Sequence, residues 1–341
     1  MNKKRLVYVI SGVIVLAIVL LIGLNKNIKN NQEPDSLKTK KDLVIDQPVV
    51  ITFVGDIMLD RGVKSSVNKN FNGDYTKLFE KAFLNVQDNH IFLLKNDDIT
   101  LGNLEGPVSN KGRNVGSKYS FRMNPEVLSA LKDSGFDIFN VANNHAGDWS
   151  VDAFWDTLNN LSLNDLEFTG GGMNYTEASS VRIIEKNGVK IGFLGFSDVG
   201  PEWLLATDEK SGILSAKDPK IADIIKEAKT KSDFLIVSFH WGDEYVKQNK
   251  RQEYLAHLSI DNGADIIIGH HPHVQQDVEF YKEKPIIYSL GNFIFDQSFS
   301  KDTMNGLMIQ IEVLKNGSIK IFRKFNTTQN KQFQIESIIE L

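Results

Sequence analysis

The segment DIIIGHHPH, residues Asp265–His273, joins a short run of isoleucines directly to a cluster of histidines. Apolar runs of this length, bounded by glycine and polar residues, are typical of buried strands. In open α/β sheets, ligands bind beyond the carboxyl ends of the strands. His271 and His273 flank Pro272, which stiffens the turn and keeps the two imidazoles close together. The segment therefore predicts a buried strand that ends in a ligand site.

The same arrangement of a strand followed by polar side chains recurs along the chain. Further examples are GD at 55–56, GNLE at 102–105, NNH at 143–145, HWGDE at 240–244 and SLGNF at 289–293. Five of the seven histidines fall in these segments or in the opening one. Taken singly, each segment is also consistent with a turn, a loop hydrogen bond or a structural histidine. Taken together, their carboxylate, amide and imidazole groups predict a site for divalent Mn, Fe or Zn.

Strand-like and helical patterns alternate, which predicts an α/β layered sheet. Besides those named above, strands are predicted at Asp137–Val141, Lys190–Phe196, Phe234–Phe239 and Pro285–Tyr288. Helices are predicted at Pro125–Ser134, Val151–Leu161, Pro219–Thr230 and Arg251–Asn262. Asn316-Gly317 and Lys186-Asn187-Gly188 predict hairpin turns, so some antiparallel strands are expected.

The uncharged apolar segment Leu6–Leu24 follows three basic residues. As a helix rising roughly 1.5 Å per residue it would be about 28 Å long, which matches a hydrocarbon core of about 30 Å. We therefore predict a single-pass anchor in the cell membrane over residues 1–24, with a buried core helix as the alternative. Because the basic flank stays in the cytoplasm, the N-terminus is expected there and the remainder outside. Residues 25–47 predict a flexible polar stalk, and residues 48–341 an extracellular main domain.

Composition excludes several classes of protein. The 341 residues carry a net charge of only −4, which does not suit a general nucleic-acid binder. The absence of cysteine excludes disulfides, thiolate metal ligands, a cysteine nucleophile and a lipoprotein anchor. The sequence contains no Gly-x-x-x-x-Gly-Lys-Ser/Thr loop, so the chain is not expected to use ATP.

Seven ordered motifs give the chain a resemblance to a known family. They run from about Ile51 to Asp296 and read GDIMLDRG, GNLEGPVS, FRMNPE, VANNHAGDW, SFHWGDEY, IGHHPHVQQ and YSLGNFIFD. The chain resembles the calcineurin-like metallophosphoesterases and, more specifically, the CapA (PgsA) family, which is tied to poly-γ-glutamate capsule synthesis. The resemblance implies a layered metallophosphoesterase-like αββα sandwich, and a membrane anchor also fits that family.

The resemblance implies roles for individual residues. The implied ligands of one or two divalent metal ions are Asp56, Glu105, Asn144, His240, His271 and His273. His145 would contact the substrate or protonate a leaving group, and Asp148 is the second predicted catalytic residue. Asn103 would orient Glu105 from behind the ligands, and His270 would be a neighbour of the ligands. Ordinary phosphoesterases of this fold have histidine where this chain has Met58, so one metal position loses an imidazole.

Two arginines beside the motifs, Arg61 and Arg122, are predicted to bind anionic groups of a substrate. A guanidinium pairs with carboxylate or phosphate through two parallel hydrogen bonds. The alternative is an internal ion pair with Asp60 or Glu126. Glu244 is interpreted as a structural residue.

Three functions stay open at this point. The first is an accessory protein of poly-γ-glutamate capsule synthesis or export, which handles the emerging anionic polymer beside the membrane subunits of the capsule synthase. The second is a metal-dependent hydrolase of phosphoesters or of the amide bonds of the polymer. The third is a metal-binding scaffold without turnover. The resemblance favours the first function, and Met58 argues against ordinary phosphatase chemistry.

Overall fold

The structure is a computed structural model, and it describes residues 47–83 and 94–341. These residues form a mixed α/β domain rich in strands. The anchor predicted for residues 1–24 and almost all of the stalk predicted for 25–47 lie outside the described residues and stay predictions. Within the described part of the chain, no helix is both long and apolar enough to cross a bilayer.

The described residues contain sixteen strands and six α-helices. The strands are β1 (Val49–Ile57), β2 (Ile99–Leu104), β3 (Ile138–Asn140), β4 (Glu167–Thr169), β5 (Gly171–Gly172), β6 (Arg182–Lys186), β7 (Val189–Ser197), β8 (Gly212–Ile213), β9 (Phe234–His240), β10 (Ile266–His270), β11 (Val278–Tyr281), β12 (Lys284–Ile287), β13 (Asn292–Ile294), β14 (Asn305–Val313), β15 (Ile319–Gln329) and β16 (Ile335–Glu340). The helices are α1 (Arg61–Phe71), α2 (Val127–Asp133), α3 (Ser150–Leu163), α4 (Tyr175–Ala178), α5 (Ile221–Lys231) and α6 (Lys250–Asp261).

Two large sheets are built from these strands. The first has the order β16-β15-β14-β1-β2-β3-β4, with β13 paired to β1. Its strands β1 to β4 are parallel, whereas β14, β15 and β16 form an antiparallel meander. The second sheet has the order β11-β12-β10-β9-β7-β6, and its four middle strands are parallel. The short pair β5-β8 forms a separate sheet.

Side chains of β1 alternate between two hydrophobic cores, as expected for a strand buried on both faces. Ile51 and Phe53 belong to the core between the two sheets, together with Ile236 of β9 and Ile268 of β10. Val54 belongs to the core that the first sheet shares with α1, α2 and α3. The opposite face of the second sheet packs against α5 and α6. The layers are therefore helix, sheet, sheet and helix, in the order that the family resemblance implies.

Local sequence signals account for most of the helices and for the hairpins. Helices α2, α3, α5 and α6 begin and end within two residues of their predicted bounds. At the β6–β7 turn, Asn187 and Gly188 have φ angles of 52° and 74°, the left-handed pair of a type I′ turn. The predicted turn at Asn316-Gly317 connects β14 to β15. Helix α1 was not predicted, and its buried apolar face consists of only Val63 and Val67.

The parallel strands of both sheets point their carboxyl ends towards one edge of the sandwich. In the first sheet, the register of β1 and β2 places Asp56 opposite Asn103. In the second, the register of β9 and β10 places His240 opposite His270. The backbone N–H of His271 donates to Oδ2 of Asp56 over 3.3 Å, which joins the two sheets at this edge. The loops that follow these strands therefore surround a common centre.

Candidate metal centre

Two buried carboxylates form the floor of this centre, and one amide side chain holds both. Nδ2 of Asn103 donates to Oδ1 of Asp56 over 2.8 Å and to Oε2 of Glu105 over 3.3 Å. All three side chains are fully buried. Asn103 therefore contacts Glu105 as predicted, and it also positions Asp56.

The surroundings shift the pKa values of the two carboxyl groups in opposite directions. Burial favours the protonated form of Asp56, yet the nearby imidazoles of His270 and His273 hold its pKa well below the usual range. Burial, together with the negative charges of Asp56 and Glu244, raises the pKa of Glu105 well above its usual value, against the opposing charge of His273. Buried negative charges of this kind are stabilised when a cation lies between them.

The turn after β10 presents His271 and His273 towards these carboxylates. The two residues have φ angles of 100° and 59°, a left-handed backbone that residues with a Cβ rarely adopt. The ring of His271 lies 4.8 Å from the ring of His240, centroid to centroid. Nδ1 of His273 lies 3.3 Å from Oδ2 of Asp56, and its Nε2 lies 3.7 Å from Oε1 of Glu105. The strained turn thus brings two imidazoles onto the carboxylate floor.

The loop after β3 adds an amide and a further imidazole. Oδ1 of Asn144 lies 2.8 Å from Nε2 of His240. The neighbouring Asn143 anchors the loop, because its Nδ2 donates to a backbone oxygen at the end of β2 over 2.8 Å. Nε2 of His145 lies 3.9 Å from Oε1 of Glu105. The predicted amide ligand and the predicted catalytic histidine therefore both reach the centre.

The side chain of His145 is oriented by Asp148 and by the ring of Phe121. Its Nδ1 lies 2.8 Å from Oδ2 of Asp148, and an ionised carboxylate can only accept, so Nδ1 carries a proton. The same oxygen accepts the backbone N–H of Phe121 over 2.9 Å. The Phe121 ring lies 4.0 Å from the imidazole, centroid to centroid. These contacts leave Nε2 of His145 facing the centre.

Several buried atoms around the centre have no hydrogen-bond partner among the described residues. They are Oε1 of Glu105, Nδ1 of His240, both ring nitrogens of His270 and Nδ1 of His271. Leaving a buried polar group unsatisfied costs about 1–3 kcal/mol. Burial lowers the pKa of His240 well below its usual value and that of His271 to about 4, which keeps both imidazoles neutral. Neutral imidazoles and unpartnered carboxylate oxygens are what a divalent cation requires, so these residues fit the predicted metal.

The ligand side chains fall into two groups. Within each group the ligand atoms lie within 4.8 Å of one another, and the groups are Asp56 with Glu105 and His240, and Glu244 with His271 and His273. Asn144 joins the first group through its contact with His240. Nδ1 of His270 lies 3.5 Å from Oδ1 of Asp56, which makes His270 a neighbour of the ligands as predicted.

A cleft of about 250 Å³ opens above the ligands. Its polar lining residues include His145, His273 and Glu244, and its aromatic ones include Tyr119, Phe121, Tyr245 and Phe299. The hydroxyl of Tyr245 accepts a hydrogen bond from Nε2 of Gln297 over 3.0 Å, which ties the two sides of the cleft together. The centre is therefore open to a ligand from solvent on this side.

Comparison with known proteins places this centre in a family. A family model described as "Bacterial capsule synthesis protein PGA_cap" matches residues 50–297. The chain belongs to this family. The matched region contains every residue predicted for the site, and it leaves β14, β15 and β16 outside.

Two relatives of this PGA_cap protein have 36% identity to it. "Capsule biosynthesis protein CapA" of Bacillus anthracis aligns over 281 residues, which are 80% of this chain and 66% of that protein. "PGA biosynthesis protein CapA" of Bacillus subtilis aligns over 291 residues, 84% of this chain and 72% of that protein. The chain thus spans slightly less than two thirds of the first relative.

Solved structures show weaker similarity to the PGA_cap chain. A hypothetical protein from Thermus thermophilus matches with a TM-score of 0.44 and 13% identity, over 86% of this chain and 98% of that one. A 5'-nucleotidase precursor from the same organism matches with a TM-score of 0.45 and 10% identity, over 84% of this chain and 56% of that one.

The two arginines of the PGA_cap motifs differ in their partners. The guanidinium of Arg61 forms a two-pronged ion pair with Asp296, a partner that the sequence alternatives did not include. Arg122 stacks on Trp149, with its Cζ 3.6 Å from the ring centroid. Arg61 lines the cleft. Binding of an anionic substrate group by either arginine stays a prediction.

Met58 takes no part in the metal centre. Its side chain is fully buried in a cluster with Phe121 and Phe295. The backbone N–H of Asp60 donates to its sulfur over 3.2 Å. In the structure Met58 therefore has a packing role.

Sequence reasoning missed two residues of this PGA_cap centre. Oδ1 of Asn292 lies 2.9 Å from Nδ1 of His273, so that nitrogen carries a proton and Nε2 faces Glu105. The available signal was the position of Asn292 after a strand-like run, in the motif YSLGNFIFD. The second is Glu244, which was interpreted as structural and lies with His271 and His273 in a group that could hold a metal ion.

Proposed function

We propose that this PGA_cap protein serves poly-γ-glutamate capsule synthesis or export at the outer face of the cell membrane, where its metal centre engages the emerging anionic chain. The observation that carries the proposal is the convergence of unpartnered buried ligand atoms beneath an open cleft. The names of the two bacillar relatives, both of them CapA proteins of capsule or PGA biosynthesis, support the process.

The residues that would hold one or two divalent ions are Asp56, Glu105, Asn144, His240, His271 and His273. Because the ligands are oxygen and nitrogen atoms, Mn, Fe and Zn are the metals that suit them. A metal held there would supply Lewis acidity towards a carboxylate, amide or phosphoryl oxygen. A polymer with one carboxylate per residue offers such an oxygen at every repeat.

The protein's own groups can also move a proton at this centre. Asp148 holds the proton of His145 on Nδ1, which leaves Nε2 free at the mouth of the cleft. An imidazole in this orientation can accept a proton or, once protonated, donate one to a leaving group. This pair favours a second candidate function, a metal-dependent hydrolase of phosphoesters or of γ-glutamyl amide bonds.

The proposed location rests on the apolar segment of the sequence, and the proposed partners rest on the family resemblance. A helix over residues 1–24 would anchor the chain, and the stalk would hold the metal domain outside the cell near the membrane subunits of the capsule synthase. Protease treatment of intact cells tests the orientation, since an outer domain should be digested without cell lysis. Protection of the domain in intact cells would contradict this part of the proposal.

The metal centre is tested on the full chain in detergent. Mn, Fe and Zn are measured in the wild type, in His240→Ala and in His257→Ala, and all three proteins are assayed on poly-γ-glutamate and on a phosphodiester panel. His257 is the matched control, because it contacts Glu279 and Tyr281 on the surface, away from the ligand groups.

Each result of this experiment separates the candidate functions. Metal that is lost only in His240→Ala, without turnover, supports the polymer-handling role. Turnover that is lost together with the metal supports the hydrolase. A wild type that binds no metal after loading with Mn²⁺ would contradict the centre itself.

A further inference from the structure

The exposed loop after β9 brings an acidic side chain back over the histidine turn. The backbone N–H of Tyr245 donates to the oxygen of Pro272 over 2.9 Å, and that of Trp241 donates to the oxygen of His270 over 3.1 Å. Gly242 and Tyr245 adopt the left-handed backbone, with φ angles of 83° and 63°, which reverses the chain direction. Glu244 lies between these anchored residues, so its position relative to the histidine turn is fixed by the backbone.

The carboxylate of Glu244 forms a compact group with two imidazoles. The ligand atoms of Glu244, His271 and His273 lie within 4.8 Å of one another. Two donors on one metal ion, each about 2.1 Å from it, can be at most about 4.2 Å apart. The group is therefore close to the size of a coordination shell, and small side-chain rotations can bring its atoms within reach of one ion.

A buried nitrogen without a partner points to a ligand at this group. His271 is only 7% exposed, and its Nδ1 has no hydrogen-bond partner among the described residues. His273 has its Nδ1 occupied by Asn292, so Nε2 is the nitrogen left for coordination. Met58 comes two residues after Asp56, just beyond the end of β1; it packs with Phe121 and Phe295, and its sulfur accepts the backbone N–H of Asp60. A metal ion beside His271 and His273 therefore needs a third donor from a residue other than Met58.

We infer that Glu244 is a metal ligand and that, with His271 and His273, it forms a second divalent-cation position at the mouth of the cleft. The first position, at Asp56, Glu105 and His240, is fully buried, whereas Glu244 is exposed. Two imidazoles and one carboxylate form a donor set found in catalytic zinc sites that keep an open coordination position. A carboxylate or phosphate of an incoming substrate would occupy that open position.

This inference rests on the proposed function, because it assigns a further ligand to the same centre. It is tested by counting Mn²⁺ bound to the full chain in detergent and by titration calorimetry. Glu244→Gln removes the charge and the anionic donor while keeping the shape. Asp243→Asn is the matched control, since it makes the same change one residue earlier, where the carboxylate accepts a hydrogen bond from Asn249 and joins neither ligand group.

We expect two ions in the wild type and in Asp243→Asn, and one ion in Glu244→Gln. The affinity for the second ion should fall by more than about 100-fold, beyond the 10–100-fold effect of losing a hydrogen bond to a ligand. Since Glu244 is exposed, the circular dichroism spectrum and the melting curve of Glu244→Gln without metal should match those of the wild type. Two ions retained in Glu244→Gln, or a single ion in the wild type, would overturn the inference while the proposed centre stands. No ion in the wild type would instead overturn the proposed function.

Discussion

Replacing Asn103 by alanine tests whether one amide holds the carboxylate floor together. The hydrogen bond from Nδ2 to Asp56, at 2.8 Å, goes to a charged acceptor and is worth about 1.5–3 kcal/mol. The bond to Glu105, at 3.3 Å, is longer, and we assign it about 1 kcal/mol. Asn103→Ala should therefore lower the free energy of unfolding of the metal-free protein by about 3 kcal/mol.

The same substitution should weaken metal binding. Residues that hold a metal ligand by a hydrogen bond contribute about 10–100-fold to metal affinity. Because the metal binds the folded state, the deficit in unfolding free energy should grow by about 1.4–2.7 kcal/mol at saturating Mn²⁺. The decrease in unfolding free energy and the decrease in Mn²⁺ affinity of Asn103→Ala are thus linked, because metal binding and folding share one equilibrium.

Urea unfolding with and without Mn²⁺, followed by circular dichroism, measures both quantities. Asn110→Ala is the matched control, because Asn110 is exposed and lies outside the ligand groups. We expect Asn110→Ala to remain within about 0.5 kcal/mol of the wild type. A deficit below about 1 kcal/mol in Asn103→Ala, or one that shrinks when Mn²⁺ is added, would refute the assignment of Asn103 as the support of both carboxylates.

Three further predictions concern charge, proton transfer and metal. Burial raises the pKa of Asp97 to about 6 against hydrogen bonds from Thr52 and Gln310. The folded state therefore binds more protons than the unfolded state between about pH 4 and 6. As a result, the free energy of unfolding falls as the pH rises through this window. Asp97→Asn should remove about 2 kcal/mol of that loss in urea titrations at pH 4 to 8, and an unchanged slope would contradict the assignment. If the wild type hydrolyses a substrate, Asp148→Asn should lower kcat by about 10²–10⁴-fold with unchanged metal content, because His145 loses its fixed tautomer. A parallel loss of metal would instead show that Asp148 has a structural role. Removing metal with a chelator should lower the melting temperature by roughly 5–10 °C if the metal stood at about 100 times its Kd, and identical melting curves would mean that no metal was bound.

The parts of the centre that the sequence predicts are those fixed by strand ends. Asp56 and His240 each follow a run of apolar residues that is buried on both faces, and both point into the same edge of the sandwich. A buried strand leaves few choices for where its polar residues lie, since the core admits only apolar side chains. The pattern of apolar runs therefore indicates the strand ends at which polar groups gather, whereas the order of the layers and the individual ligands come from the family resemblance.

The parts that the sequence does not predict depend on contacts between distant segments. Arg61 pairs with Asp296, 235 positions later, and no local pattern distinguishes Asp296 from the nearer Asp60. Glu244 reaches the histidine turn only because Tyr245 hydrogen-bonds to Pro272. Such pairings are set by how the two sheets stack, which neither propensity nor periodicity encodes.

The apolar cluster of Met58, Phe121 and Phe295 orients the imidazoles of His145 and His273 at the position where Met58 replaces a histidine. Phe121 stacks on His145 with centroids 4.0 Å apart, and Phe295 meets the His273 ring edge-on at 4.8 Å. Both imidazoles are thus held by rings that Met58 packs against from behind. The side chain that cannot bind metal therefore serves the centre by orienting the two histidines nearest the cleft.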